Sequence, residues 1–166
     1  MGCASGVFSL DIATSDAVTC SGHRDGSIKF WSIKEGKIMH EIKAVHEASI
    51  SSCQYMPGNA NQVITSSRDQ TVKVVDVRNY KVVQTLSNEN WSSYCDNSLI
   101  GVSPQGKYVA LPSSNGKLII LNRDSNKVET IFDKEHKSNA IVSVDWSMRT
   151  SKVASIDTKG TIIIWS

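Results

Sequence analysis

Four stretches of the chain repeat one alternation of apolar and polar positions. In SGHRDGSIKFWSI (Ser21 to Ile33), Ile28 and Phe30 share one side of the alternation. TSSRDQTVKVVDV (Thr65 to Val77), LPSSNGKLIILNR (Leu111 to Arg123) and SIDTKGTIIIWS (Ser155 to Ser166) put Val72 and Val74, Leu118 and Ile120, and Ile162 and Ile164 in the same places. A period of two is that of a strand with one face fixed. Each apolar run follows a turn pair, Asp25-Gly26, Asp69-Gln70, Asn115-Gly116 or Lys159-Gly160, so each copy reads as a strand-turn-strand hairpin. The first residues of these pairs share one position, six residues before Trp31, Val75, Leu121 and Trp165, and successive copies are 44, 46 and 44 residues apart.

A repeat of this length with four strands per unit predicts the blades of an all-β propeller. The expected strands of the first blade are residues 6–11, 17–21, 27–33 and 37–44, and those of the second 49–56, 62–66, 71–77 and 81–87. The third blade opens on a long stretch after Trp91, with a loop expected over 92–97. A strand ending at Ser103-Pro104 then precedes strands over 108–111, 117–122 and 127–132. The fourth offers 140–146, 152–156 and 161–165, giving fifteen strands where four complete blades need sixteen.

SGHRDGSIKFWS is similar to the repeat signature of the WD40 family. SRDQTVKVVDVRN with VVQTLS, the NWS at Asn90 to Ser92, SPQGKYVA at Ser103 to Ala110, and IVSVDWS with VASIDTKG resemble more closely the C-terminal propeller of the autophagy-related protein 16 (autophagy 16-like) family. The resemblance implies one WD40 domain over 1–166, with blades at approximately 1–45, 46–89, 90–135 and 136–166. It also implies that the chain is the C-terminal part of a seven-bladed propeller whose remaining blades and coiled coil lie upstream. On that reading, outward faces of the end blades should expose Val7, Ile28 or Phe30 and Ile162 or Ile164, and the isolated chain should self-associate.

The resemblance also orders the polar residues. His46 and His136 each lie 15 residues after Trp31 and Leu121, and Asn90 holds the same slot after Val75. WD40 blades carry a structural hydrogen-bond network of a loop His, a second-strand Ser or Thr, the turn Asp and a third-strand Trp. It is expected here from His46, Thr65 and Asp69, from His136, Ser155 and Trp165 with Lys159 replacing the Asp, and from Ser21, Asp25 and Trp31 without a His. The same residue types could build a hydrolase triad, but their repeat register favours structure, and no GxSxG elbow occurs. No enzyme activity and no cofactor are expected.

Composition narrows the rest. A net charge of +2 without a basic run gives no reason to expect nucleic acid. Cys3, Cys20, Cys53 and Cys95 are far apart without CxxC spacing, so they are expected to be reduced residues inside strands of a cytoplasmic protein, with no metal site. Met1-Gly2-Cys3 resembles an acylation start, but Gly6 stands where the myristoylation pattern needs Ser or Thr. Arg24 and Arg68, one residue before the turn Asp in successive repeats, are candidate partner contacts, as is Arg78.

The family resemblance implies a scaffold that directs conjugation of ubiquitin-like autophagy 8 proteins to membrane lipid during autophagosome assembly. It would bind the autophagy 12 to autophagy 5 conjugate through absent upstream regions and adaptor proteins through propeller faces. Membrane association would be indirect, peripheral at the phagophore. An alternative is a substrate receptor of a cullin-type ubiquitin ligase, suggested by Val75-Asp76-Val77-Arg78, which resembles a WDxR box with Val75 in the Trp place.

Overall fold

The computed structural model describes residues 5–13 and 17–166. Gly2 and Cys3, and with them the acylation question, lie outside the described residues. Fifteen strands occur among those described: β1 (Val7–Ile12), β2 (Val18–His23), β3 (Ile28–Ser32), β4 (Lys37–Ile42), β5 (Ile50–Met56), β6 (Asn59–Ser67), β7 (Thr71–Asp76), β8 (Lys81–Ser87), β9 (Gly101–Val102), β10 (Tyr108–Pro112), β11 (Leu118–Asn122), β12 (Lys127–Phe132), β13 (Ile141–Trp146), β14 (Val153–Asp157) and β15 (Ile162–Trp165). They form four antiparallel sheets in strict chain order, β1-β2-β3-β4, β5-β6-β7-β8, β9-β10-β11-β12 and β13-β14-β15. The architecture is all-β, and each sheet is a propeller blade.

The turn positions explain why each hairpin forms where it does. Gly26, Gln70, Gly116 and Gly160, the second residues of the four turn pairs, all adopt left-handed φ values of 76°, 65°, 79° and 79°. Glycine is needed for more than conformation at two of them, since a Cβ on Gly26 would come within 2.1 Å of the His46 carbonyl oxygen and one on Gly116 within 2.7 Å of Ser138 Cα. A bulge recurs near the start of three inner strands, between Val7 and Ser9, Ile50 and Ser52, and Ile141 and Ser143.

The chain divides into two compact units, Met1–Thr85 and Leu86–Ser166. In the first, Ile28 and Phe30 of β3 pack with Ile50, Cys53 and Tyr55 of β5 and with Val63 and Val75. Ile28 and Phe30 are 0% and 1% exposed, which corrects the expectation that they face outward. Their side of the alternation faces the next blade, and burying two such side chains contributes roughly 3–6 kcal/mol before entropic costs. Val7 is exposed as expected, and the other exposed apolar residues of the first blade are Leu10, Ile12, Ile33, Ile38 and Met39. With Trp31 and Ser21, three of these (Val7, Leu10 and Ile33) line an open apolar pocket of about 300 Å³.

In the second unit, Leu118 and Ile120 occupy the register of Ile28 and Phe30 and are buried against Ile141, Val144, Val153 and Trp165. Ile162 and Ile164, again at that register, are 66% and 60% exposed. The third blade has the shortest inner strand. Residues 92–98 form no strand, and β9 holds only two residues, although Leu99 adds an isolated parallel bridge to Ser143. Cys95 falls in this irregular stretch, so it is not a strand residue as expected, because the insertion after Trp91 displaces the start of pairing.

Candidate functional site

The polar residues singled out by register do not form one cleft. They form separate buried clusters, one inside each of three blades. In the second blade, β6 presents Thr65 inward and the β6-β7 turn presents Asp69, while the segment after β4 delivers His46. His46 Nδ1–H donates to Asp69 Oδ2 at 2.9 Å, and Nε2 lies 2.9 Å from Thr65 Oγ1. Because an ionised carboxylate only accepts, the imidazole proton resides on Nδ1. Asp69 also accepts from the Glu47 and Thr71 backbone N–H groups and from the Thr71 hydroxyl. Burial opposes its charge, but the His46 and Thr71 bonds outweigh that penalty and hold the carboxyl far below the usual range. The His46 backbone N–H donates to Gly26 O at 3.1 Å, so one residue ties the first blade's turn to the second blade's interior.

The fourth blade builds the same cluster differently. Trp165 Nε1–H donates to Ser155 Oγ at 2.9 Å, the Ser155 hydroxyl donates to His136 Nε2 at 2.7 Å, and His136 Nδ1–H donates to Oδ2 of Asp157 at 3.0 Å. Asp157 is the last residue of β14, two positions before Lys159, and supplies the carboxylate that the turn lacks. Its Oδ1 accepts from the Lys159 and Thr161 backbone N–H groups. Burial again opposes the charge, and the bonds from His136, Thr161 and Lys159 pull the carboxyl far down. Lys159 itself is exposed and contributes only its backbone.

The first blade corrects a second expectation. Trp31 Nε1–H donates to Ser21 Oγ at 2.8 Å, and Ser21 Oγ lies 2.9 Å from Nε2 of His23, so a histidine is present after all. It arises from the end of β2 rather than from a loop. Asp25 stays outside the cluster and accepts from the Ser27 N–H and hydroxyl, which lower its pKa. Burial, helped by Lys29, pushes His23 below its ordinary value despite the opposing influence of the Ser5 backbone, Asp25 and Glu41.

His23 and Asp157 were the residues the register reading missed, and the signal for both was present. They occupy one repeat position, two residues before the first residue of the turn pair, where the other two copies have Ser67 and Ser113. The third blade has Leu111 and Leu121 in the Ser and Trp slots and no such cluster. Trp91 is buried there, donates from Nε1 to Pro112 O at 2.9 Å, and Ser113 Oγ accepts from the Ser92 N–H.

A Ser-His-Asp sequence of hydrogen bonds has the composition of a hydrolase triad, yet Ser155 is 2% exposed and both imidazoles are buried. A substrate carbonyl needs contact with the nucleophile, which this packing does not give. No group of three metal-ligating side chains occurs among the described residues, and no helix there is long and apolar enough to cross a membrane. Arg24 and Arg68 are exposed neighbours on one rim, since Ser49 Oγ donates to Arg24 O at 3.3 Å and Arg68 N–H donates to Ser49 O at 3.1 Å. Arg78 folds back onto Asp76, with Nε 3.0 Å from Oδ1, and this guanidinium lowers the Asp76 pKa to about 2. With Arg78 engaged this way and Val75 buried in the Trp slot, the ligase-receptor alternative is not favoured.

The blades and their buried polar clusters define the class: a WD40-repeat β-propeller protein. The WD domain, G-beta repeat family matches residues 36–76. Within that class, the chain is similar along most of its length to autophagy 16 proteins, as its motifs led us to expect. It is 29% identical to autophagy-related protein 16 of Arabidopsis thaliana, over 88% of this chain and 28% of that protein. It is 26% identical to protein Atg16l2 of Mus musculus, over 93% and 24%. Similarity to protein tipD of Dictyostelium discoideum is 30%, over 87% and 24%. The chain thus spans about a quarter of the length of these relatives.

Proposed function

We propose that the chain is a non-enzymatic WD40 interaction module acting in autophagy. The observation that carries this reading is the similarity to autophagy 16 relatives over most of the chain. The burial of His46, Thr65, His136, Ser155 and Asp157 adds to it, because it leaves rims and loops as the chemistry a partner meets. By the family resemblance, the module serves a scaffold that directs conjugation of autophagy 8 proteins to membrane lipid. Other regions of such a scaffold hold the autophagy 12 to autophagy 5 conjugate, and the blades receive adaptor proteins. The site of action is the cytoplasm, with indirect attachment at the phagophore.

On this chain the clusters around His46, His136 and Ser21 act as structural fasteners, while Arg24 and Arg68 are the leading contacts for a protein partner. The test places the chain as the WD40 region of an autophagy 16-like protein in cells lacking their own, and measures co-purified proteins and lipid-conjugated autophagy 8. The double variant Arg24→Glu, Arg68→Glu should lose partner recovery by about tenfold or more, as expected for removal of an interfacial charge contact. Its melting temperature should stay unchanged. Equal recovery by the double variant would overturn the rim assignment, and failure of the unsubstituted chain to support conjugation would overturn the autophagy role.

A further inference from the structure

Cys20 on β2 and Cys53 on β5 are 33 positions apart, yet their sulfurs lie 3.5 Å from each other in the core between the first and second blades. Both thiols are free and buried. Their backbones are fixed on every side. Cys20 is paired with Phe30 of β3 and Cys53 with Thr65 of β6. Ser9 Oγ accepts from the Cys53 N–H at 2.9 Å and donates to its carbonyl at 3.2 Å, stitching β1 to β5. Nearby, a Cβ on Gly22 would meet Cys53 Cβ at 3.1 Å, so the two blades already touch at backbone distance.

We infer that Cys20 and Cys53 are a latent disulfide site, which a peroxide converts into a covalent staple between the first two blades. A disulfide sulfur pair lies about 2.05 Å apart, so rotation of two side chains already in contact has to close only about 1.5 Å. In the reaction one thiol loses its proton and attacks the peroxide O–O bond, giving a sulfenic acid and one water. The second thiol attacks that sulfur, the S–O bond breaks, and the hydroxyl leaves as a second water with the released proton. Two thiols are oxidised to one disulfide and one peroxide is reduced to two waters.

The surroundings set the rate. The hydrogen bond to Cys20 and burial push the Cys53 thiol well up, which keeps it protonated, and the thiolate is the nucleophile. Oxidation therefore waits for local opening of the blade interface and is slow. The same burial then shields the finished bond from soluble thiols.

The experiment uses the full chain carrying Cys3→Ser and Cys95→Ser, so that only the pair remains. Hydrogen peroxide should remove both thiols together and give a single cross-linked Cys20–Cys53 peptide from monomeric protein. The melting temperature should rise on the order of 5–10 °C, from loop closure in the unfolded chain, and return after reduction. A further Cys53→Ala substitution should abolish the shift. If the double variant does not fold, peptide mapping of the unsubstituted chain decides by mass. The inference is overturned if Cys20 and Cys53 both stay titratable after prolonged peroxide exposure at a temperature where the blade interface opens. It is also overturned if they link only between chains, or if the linked protein melts no higher.

Discussion

The second and fourth blades solve one problem with different residues. Each must hold a histidine inside a sheet, and each does so with a hydroxyl on one ring nitrogen and a carboxylate on the other. In the second blade the carboxylate comes from the turn, as Asp69. In the fourth it comes from the strand end, as Asp157, and the turn position is released to Lys159. The difference teaches that the fold requires a charge at a point in space, which two neighbouring backbone positions can reach.

The comparison is broken most severely by removing either carboxylate. Asp69→Ala leaves a buried imidazole N–H and the Glu47 and Thr71 N–H groups without their acceptor and should cost about 1–3 kcal/mol, read by chemical denaturation. Asp157→Ala should lower the melting temperature further than Asp69→Ala does, because Asp157 is the more enclosed and also serves Lys159, Thr161 and Asn139. Equal or smaller loss at Asp157 would overturn this ordering.

Acid sharpens the contrast with the first blade, where the histidine has no carboxylate. Both carboxyls titrate below their ordinary 3.8 in the fold, so their stabilisation is present above pH 3.8 and is lost as pH falls further. His23 sits below its ordinary 6.5, so from about pH 6.5 downward the unfolded chain takes up a proton the fold refuses, and stability falls already there. His23→Gln should flatten the melting temperature between about pH 6.5 and 5, and an unchanged slope would remove His23 as the cause. The smallest effect tests the released turn position: Lys159→Asp should change stability by no more than about 0.5 kcal/mol, because Asp157 already fills the role. A gain approaching the Asp69 loss would mean that the fourth blade is missing a carboxylate after all.

Much of this was legible from the sequence. The period of two, the turn pairs and the spacing located all fifteen strands, and the slot 15 residues after the third-strand anchor found His46 and His136. The polar partners were harder to read. Register aligns backbones, whereas a side chain chooses its partner by reach, and Asp157 reaches His136 from two residues before the turn position at Lys159. His23 was missed because the second strand was expected to end at residue 21, whereas β2 runs on to His23 and so puts it on the same strand face as Ser21, two positions earlier. Ile28 and Phe30 were correctly read as one face, but a period cannot say which side of a sheet meets a neighbour. The contact of Cys20 with Cys53 depends on how two blades stack, and no local pattern encodes it.

The bulges near the starts of β1, β5 and β13 give the polar clusters a role in folding. A strand that pairs one residue out of step turns its whole apolar set to the wrong side, and a bulge is where such a slip is easily absorbed. In the second blade the bulge at Ile50 and Ser52 precedes the pairing of Cys53 with Thr65, and in the fourth the bulge at Ile141 and Ser143 precedes the pairing of Val144 with Ser155. Only the native register brings those hydroxyls under their histidines. A mispaired hairpin would bury an imidazole without acceptor or donor, a cost of about 1–3 kcal/mol that aliphatic packing alone would not impose on a sheet one residue out of step.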